Sequence, residues 1–81
     1  MEIHYIILRD GIILSKEKYK DWKEIQDKYP DSYMASLGPW EKVDLIDYFS
    51  DDFGDESIWP FSIAEIDSFF SSGQLDIVKL R

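Results

Sequence analysis

The sequence predicts a small α+β domain: one sheet of about four strands with helices packed on it, in the order β-β-α-β-α-α-β. Three observations lead there. An apolar strand pattern opens the chain and runs into an Asp-Gly turn. Two amphipathic helical stretches lie in the second half, the second of them opened by a capping box. A short apolar strand pattern closes the chain. Eighty-one residues make one domain, 1–81. A chain of this size buries roughly 60–65% of its unfolded surface. With 44% hydrophobic and 16% aromatic residues it has material for a compact core.

Glu2 to Arg9 reads as a strand with Ile3, Tyr5 and Ile7 on one face and His4, Ile6 and Leu8 on the other. Both faces are apolar, which predicts a central strand covered on two sides. Asp10-Gly11 predicts a two-residue hairpin turn with positive φ at both positions, and Ile12 to Leu14 the returning strand. Ser15 is the expected N-cap of a helix running to about Lys28. Tyr19, Trp22, Ile25 and Tyr29 share one face of that helix, with Trp22 expected in the core. Lys20 with Glu24, Lys23 with Asp27, and Glu24 with Lys28 are expected pairs four residues apart. Pro30-Asp31-Ser32 ends the helix, and Tyr33 to Leu37 suits a third strand.

Gly38-Pro39 reads as a break, with Pro39 at the first helical position. From Trp40 to Ser50 a helical wheel groups Leu45, Ile46 and Phe49 against Glu41, Asp44, Asp47 and Asp51, whereas strand alternation mixes them. Asp51 to Ser57 is expected as an acidic loop. Ser62-Ile63-Ala64-Glu65 is a capping box, with Phe61 and Ile66 placed for a hydrophobic staple. Ile63, Ile66, Phe69 and Phe70 form the buried stripe, Gly73 stands at C′, and Gln74 to Leu80 is the last strand.

The net charge of −8 is local. Through Tyr29 the acids and bases balance. Glu41 to Glu56 carries Glu41, Asp44, Asp47, Asp51, Asp52, Asp55 and Glu56 against the single base Lys42. A carboxylate surface of this kind disfavours nucleic acid and anionic lipid as direct partners and favours a basic protein surface. Trp40 and Trp59 flank the stretch. Each is either core or an interface anchor, since binding hot spots favour Trp.

Catalytic and cofactor signals are sparse. There is no cysteine, hence no disulfide, thiolate metal site or cysteine nucleophile. The one histidine, His4, lies in a strand with no nucleophile motif. Asp52-Phe53-Gly54 copies a kinase tripeptide without the Gly-rich or catalytic loop. Aligning Gly54 with the sixth position of an EF-hand puts Phe49, Phe53 and Pro60 where oxygen ligands belong. An irregular cation site on Asp51, Asp52, Asp55 and Glu56, and a two-carboxylate hydrolase on Asp44 and Asp47, are the enzymatic or metal-dependent alternatives.

The expected function is therefore non-enzymatic. No catalytic, cofactor or metal residues are assigned. The partner-binding set is Glu41, Asp44, Asp47, Asp51, Asp52, Asp55, Glu56, Trp40 and Trp59. It is expected to dock on a basic surface of a nuclease or nucleic-acid-binding protein. Toxin-immunity and phage anti-defence proteins are of this general type, and carboxylates can imitate the phosphates of DNA. The alternative is a structural or regulatory accessory domain that binds through an apolar patch or homodimerises. A cytoplasmic monomer or homodimer is expected, because no secretory or membrane-spanning segment is visible.

Overall fold

In a computed structural model of the chain, residues 2–80 are described. Strands β1 (Ile3–Leu8), β2 (Gly11–Ser15), β3 (Tyr33–Trp40) and β4 (Asp76–Leu80) form one antiparallel sheet in the order β3-β1-β2-β4. Helices α1 (Trp22–Lys28), α2 (Lys42–Phe53) and α3 (Ile63–Ser71) pack on it, with a 3-10 turn at Glu56–Ile58. The predicted fold class and element order hold.

β1 is interior, as its two apolar faces require. On one face Ile3, Tyr5 and Leu14 meet Leu45, Phe49, Phe61, Ile66 and Phe69 from the second half of the chain. On the other, Ile6, Leu8 and Ile13 meet Ile25 of α1. A fully buried side chain of this size contributes roughly 1.5–3 kcal/mol, so the larger cluster is the main source of stability.

Several local expectations are corrected. The hairpin's central residues are Arg9 and Asp10, because Leu8 pairs with Gly11. Neither Asp10 nor Gly11 has positive φ. Gly11 is needed for proximity instead: a Cβ there would stand 2.7 Å from the Lys79 carbonyl oxygen of β4.

Ser15 does not cap α1. It is the last residue of β2, fully buried, paired with His4 and Asp76. Pairing on both sides keeps the chain extended, and the Lys16 N–H donates to the Leu75 carbonyl at 2.7 Å. The Ser15 Oγ accepts from the Glu17 N–H at 3.2 Å. The cap is Asp21, whose carboxylate accepts from the N–H groups of Lys23 and Glu24 at 3.0 and 3.3 Å. Tyr19 therefore precedes the helix, and Trp22, expected in the core, is 52% exposed at its first position. Glu24 accepts from the Lys20 backbone rather than its ammonium, and Lys28 pairs with Glu17 and, at 4.0 Å, with Asp76.

β3 does not break at Gly38-Pro39. It continues to Trp40, which pairs with Ile3, and the Gly38–Pro39 peptide is cis. Gly38 has φ +105°, and a Cβ on it would lie 2.7 Å from the Ile3 carbonyl oxygen. Only glycine fits there. α2 thus starts at Lys42, after Glu41, and runs to Phe53. Asp51 and Asp52, expected in a loop, lie in its last turn. Gly54 (φ +78°) ends it, donating its N–H to the Ser50 carbonyl at 3.0 Å.

The capping box of α3 is present in both directions. The Ser62 Oγ accepts from the Glu65 N–H at 3.1 Å, and Glu65 accepts from the Ser62 N–H at 3.0 Å. Phe61 and Ile66, the staple pair, are buried in the same cluster. Gly73 follows the C-cap but lacks the positive φ of a left-handed cap. Ser72 ends the helix instead: its Oγ donates to the Phe69 carbonyl at 2.8 Å and accepts from the Gln74 N–H at 3.3 Å.

Candidate functional site

α2 is amphipathic in the way the sequence predicts. Leu45 and Phe49, one turn apart, are fully buried. Asp44, Asp47 and Asp51 stand at i, i+3 and i+7 and are exposed. They span roughly 10 Å at about 1.5 Å per residue. Glu41, Asp52, Asp55 and Glu56 are exposed as well, so all seven predicted carboxylates reach solvent along one helix and the turn after it.

Lys42, the one base among them, pairs with Asp67 of α3. Its charge is spent between the two helices rather than within the acidic row. Among the described residues no ion pair or side-chain hydrogen bond engages Asp44, Asp47 or Asp51. Asp52 accepts from the Tyr48 hydroxyl at 3.3 Å.

The last two acids have structural work. Asp55 Oδ1 accepts from the Ser57 N–H at 2.9 Å. The Ser57 backbone donor holds its carboxyl below the usual range. Glu56 Oε2 accepts at 3.0 Å from the N–H of Ile63, the first residue of α3. That N–H belongs to the helix's unpaired first turn, where a carboxylate is favoured by the helix dipole. The Asp55-x-Ser57 spacing is a visible turn signal. The Glu56 contact, seven residues ahead, has no local one.

Trp40 and Trp59 stand at opposite ends of α2, and both are half-buried on the main core. Trp40 packs against Tyr48 with ring centres 4.9 Å apart. Trp59 lies 5.9 Å from Phe49, and its indole N–H donates to the Gly54 carbonyl at 2.9 Å. Both remain partly exposed. Sequence reasoning missed Val43 and Ile58, large apolar residues that are exposed next to this row. Their exposure depends on how α2 and the 3-10 turn sit on the sheet.

His4 is elsewhere, buried on the α1 face, with the Tyr19 ring edge-on at 5.2 Å. Burial pushes its pKa below the ordinary 6.5, opposed by the charge of Glu2. It lines a cleft of about 610 Å³ together with Glu2, Glu17, Tyr19, Lys16 and Lys18. Ser15, its cross-strand neighbour, is fully buried. Among the described residues no group of three or more His, Asp or Glu side chains converges where it could hold a metal ion, the Asp51–Glu56 stretch included. No described helix is long and apolar enough to cross a membrane.

Comparison with family models, with curated proteins and with solved structures finds no match to this chain.

Proposed function

We propose that this protein is a non-enzymatic binding protein, an inhibitor that docks its carboxylate face onto a basic surface of a nuclease or other nucleic-acid-binding protein. The observation that carries this reading is the exposure of Glu41, Asp44, Asp47, Asp51, Asp52, Asp55 and Glu56 on one helix and its following turn, with Lys42 drawn off to Asp67. Complementary charge of this density raises association rates and rejects acidic competitors. Asp44, Asp47 and Asp51 follow one another at about 4.5 and 6 Å along the helix axis. One DNA strand offers a phosphate every ~3.4 Å of rise. The row is thus on the scale of a phosphate backbone, which a basic groove is built to accept. The half-buried Trp40 and Trp59, with Val43 and Ile58, supply apolar contact beside the charge, the combination that interface anchors use.

The test is a pull-down with tagged protein from lysate of its own host, treated with nuclease, washed at low salt and eluted in a salt gradient. The reading expects a nucleic-acid-binding protein leaving in mid-gradient, and displacement of that protein by added DNA duplex. Partners held without salt sensitivity, or indifferent to DNA, would remove the acidic docking face from consideration.

A further inference from the structure

The two edges of the sheet are built differently. β3, on one edge, has register irregularities between Ile3 and Tyr5 and between Ile7 and Leu8 of its partner strand, and it contains Pro39, which has no N–H. Irregular register and proline keep further strands from adding to an edge. β4, on the other edge, runs in unbroken register along β2 from Ser15↔Asp76 to Gly11↔Leu80.

The Lys16 N–H donates to the Leu75 carbonyl at 2.7 Å. In an antiparallel pair, hydrogen-bonded and non-bonded residues alternate. Leu75, Ile77 and Lys79 therefore aim their main-chain groups at β2, and Asp76, Val78 and Leu80 aim theirs outward. The usual guard of such an edge is lysine. Lys79 does not serve as one. Its ammonium is folded over the sheet onto Glu65 at 2.7 Å and the Phe61 ring at 5.1 Å. The strand and its entry expose Leu75, Val78 and Leu80 by 60, 56 and 83%. The acidic helix α2 packs near β3, at the far side of the sheet, so copies meeting at β4 hold their acidic faces apart.

We propose that β4 is a self-association edge. It pairs antiparallel with β4 of a second copy about a two-fold axis at Val78, joining two four-stranded sheets into one. Val78 lies opposite Val78 of the second copy, and Asp76 opposite its Leu80. This register matches each outward-facing residue with another, for about six backbone hydrogen bonds. Sliding one step either way sets Lys79 against Lys79 of the second copy or leaves Leu80 opposite its Gln74.

Sedimentation equilibrium from micromolar to millimolar protein, with amide hydrogen exchange followed by NMR, tests this. A dimer is expected in which the Asp76, Val78 and Leu80 amides slow as concentration rises, while Ile77 and Lys79 are protected throughout. Val78→Pro removes one outward N–H at a position where an edge strand tolerates proline. It is expected to weaken association by about tenfold or more. If that variant does not fold, Leu80→Glu, which sets a second carboxylate opposite Asp76 of the other copy at an exposed side chain, carries the same expectation. A chain that stays monomeric at millimolar concentration overturns the proposal. So does a dimer whose Asp76, Val78 and Leu80 amides exchange at the monomer rate. A monomer whose three amides are protected only by an added extended apolar peptide overturns it too, because the edge would then serve another protein.

Discussion

Gly11→Ala isolates the role of a glycine that has two competing explanations. A hairpin glycine is needed for positive φ; this one has none, and its missing side chain admits the Lys79 carbonyl oxygen to 2.7 Å of the Cβ position. The neighbour is backbone in a paired strand, so no side-chain rotation relieves the contact. β4 must move by several tenths of an ångström against a ladder that continues to Ser15. Overpacking of this kind costs about 1–3 kcal/mol. An 81-residue domain has a total stability of about 4–12 kcal/mol at ~0.05–0.15 kcal/mol per residue. The expected fall in Tm is roughly 4–8 °C per kcal/mol, read by circular dichroism. Gly11→Asn distinguishes the explanations. Asn is tolerated at positive φ but is larger than Ala, so proximity predicts that it costs at least as much. An Asn variant clearly more stable than the Ala variant, or a neutral Ala variant, would refute the argument.

Four further outcomes rest on the same structure. Phe49→Ala empties the centre of the aromatic group formed with Tyr5, Phe53 and Trp59, whose rings lie 5.2–5.9 Å away; a loss of about 3–5 kcal/mol should appear as the largest fall in urea midpoint among these variants. Ser62→Ala removes one half of the capping box and should lower the urea midpoint by the equivalent of about 1 kcal/mol with no change in slope. Because His4 is held below its ordinary 6.5 in the fold, the unfolded chain takes up its proton first as pH falls. Stability should therefore decline as pH drops through 6.5 and level off below the folded value, and His4→Phe should abolish that slope. Glu17 and Glu65 are held low by Lys28 and Lys79 respectively. Their contribution is present above the ordinary 4.5 and is lost as pH falls through their folded values, as a separate drop in a pH series of thermal melts.

What the sequence could show depended on how local the cause was. The faces of β1, the amphipathic α2 and the capping box of α3 all arise within a few residues, and each was legible. The acidic row was legible for the same reason, since i, i+3 and i+7 spacing fixes one helix face. The start of α1 was readable but misread: Asp21 with Glu24 three residues later is a better cap signal than Ser15, whose third follower is Lys18. Ser15 and Trp40 are held in strands by partners distant in the chain, which no window around Gly38-Pro39 or Ser15 contains. Gly11 owes its role to β4, more than sixty residues away, and the capping of Ile63 by Glu56 depends on the path of the intervening turn. Trp22 is exposed at the first position of α1, one turn ahead of Ile25, the residue that helix buries.

The docking claim is tested most directly by the affinity of the captured partner for three forms of the protein across a salt series. These are the unaltered chain, Asp44→Lys/Asp47→Lys/Asp51→Lys, and a control, Asp10→Lys/Asp27→Lys/Asp31→Lys, which makes the same change in net charge at exposed sites elsewhere. The account predicts that the α2 variant loses about 100-fold or more at low salt and most of its salt dependence, while the control stays within a few-fold of the unaltered chain. Equal losses from both variants, or none from either, would contradict it, because the charge would then act only through its total or not at all.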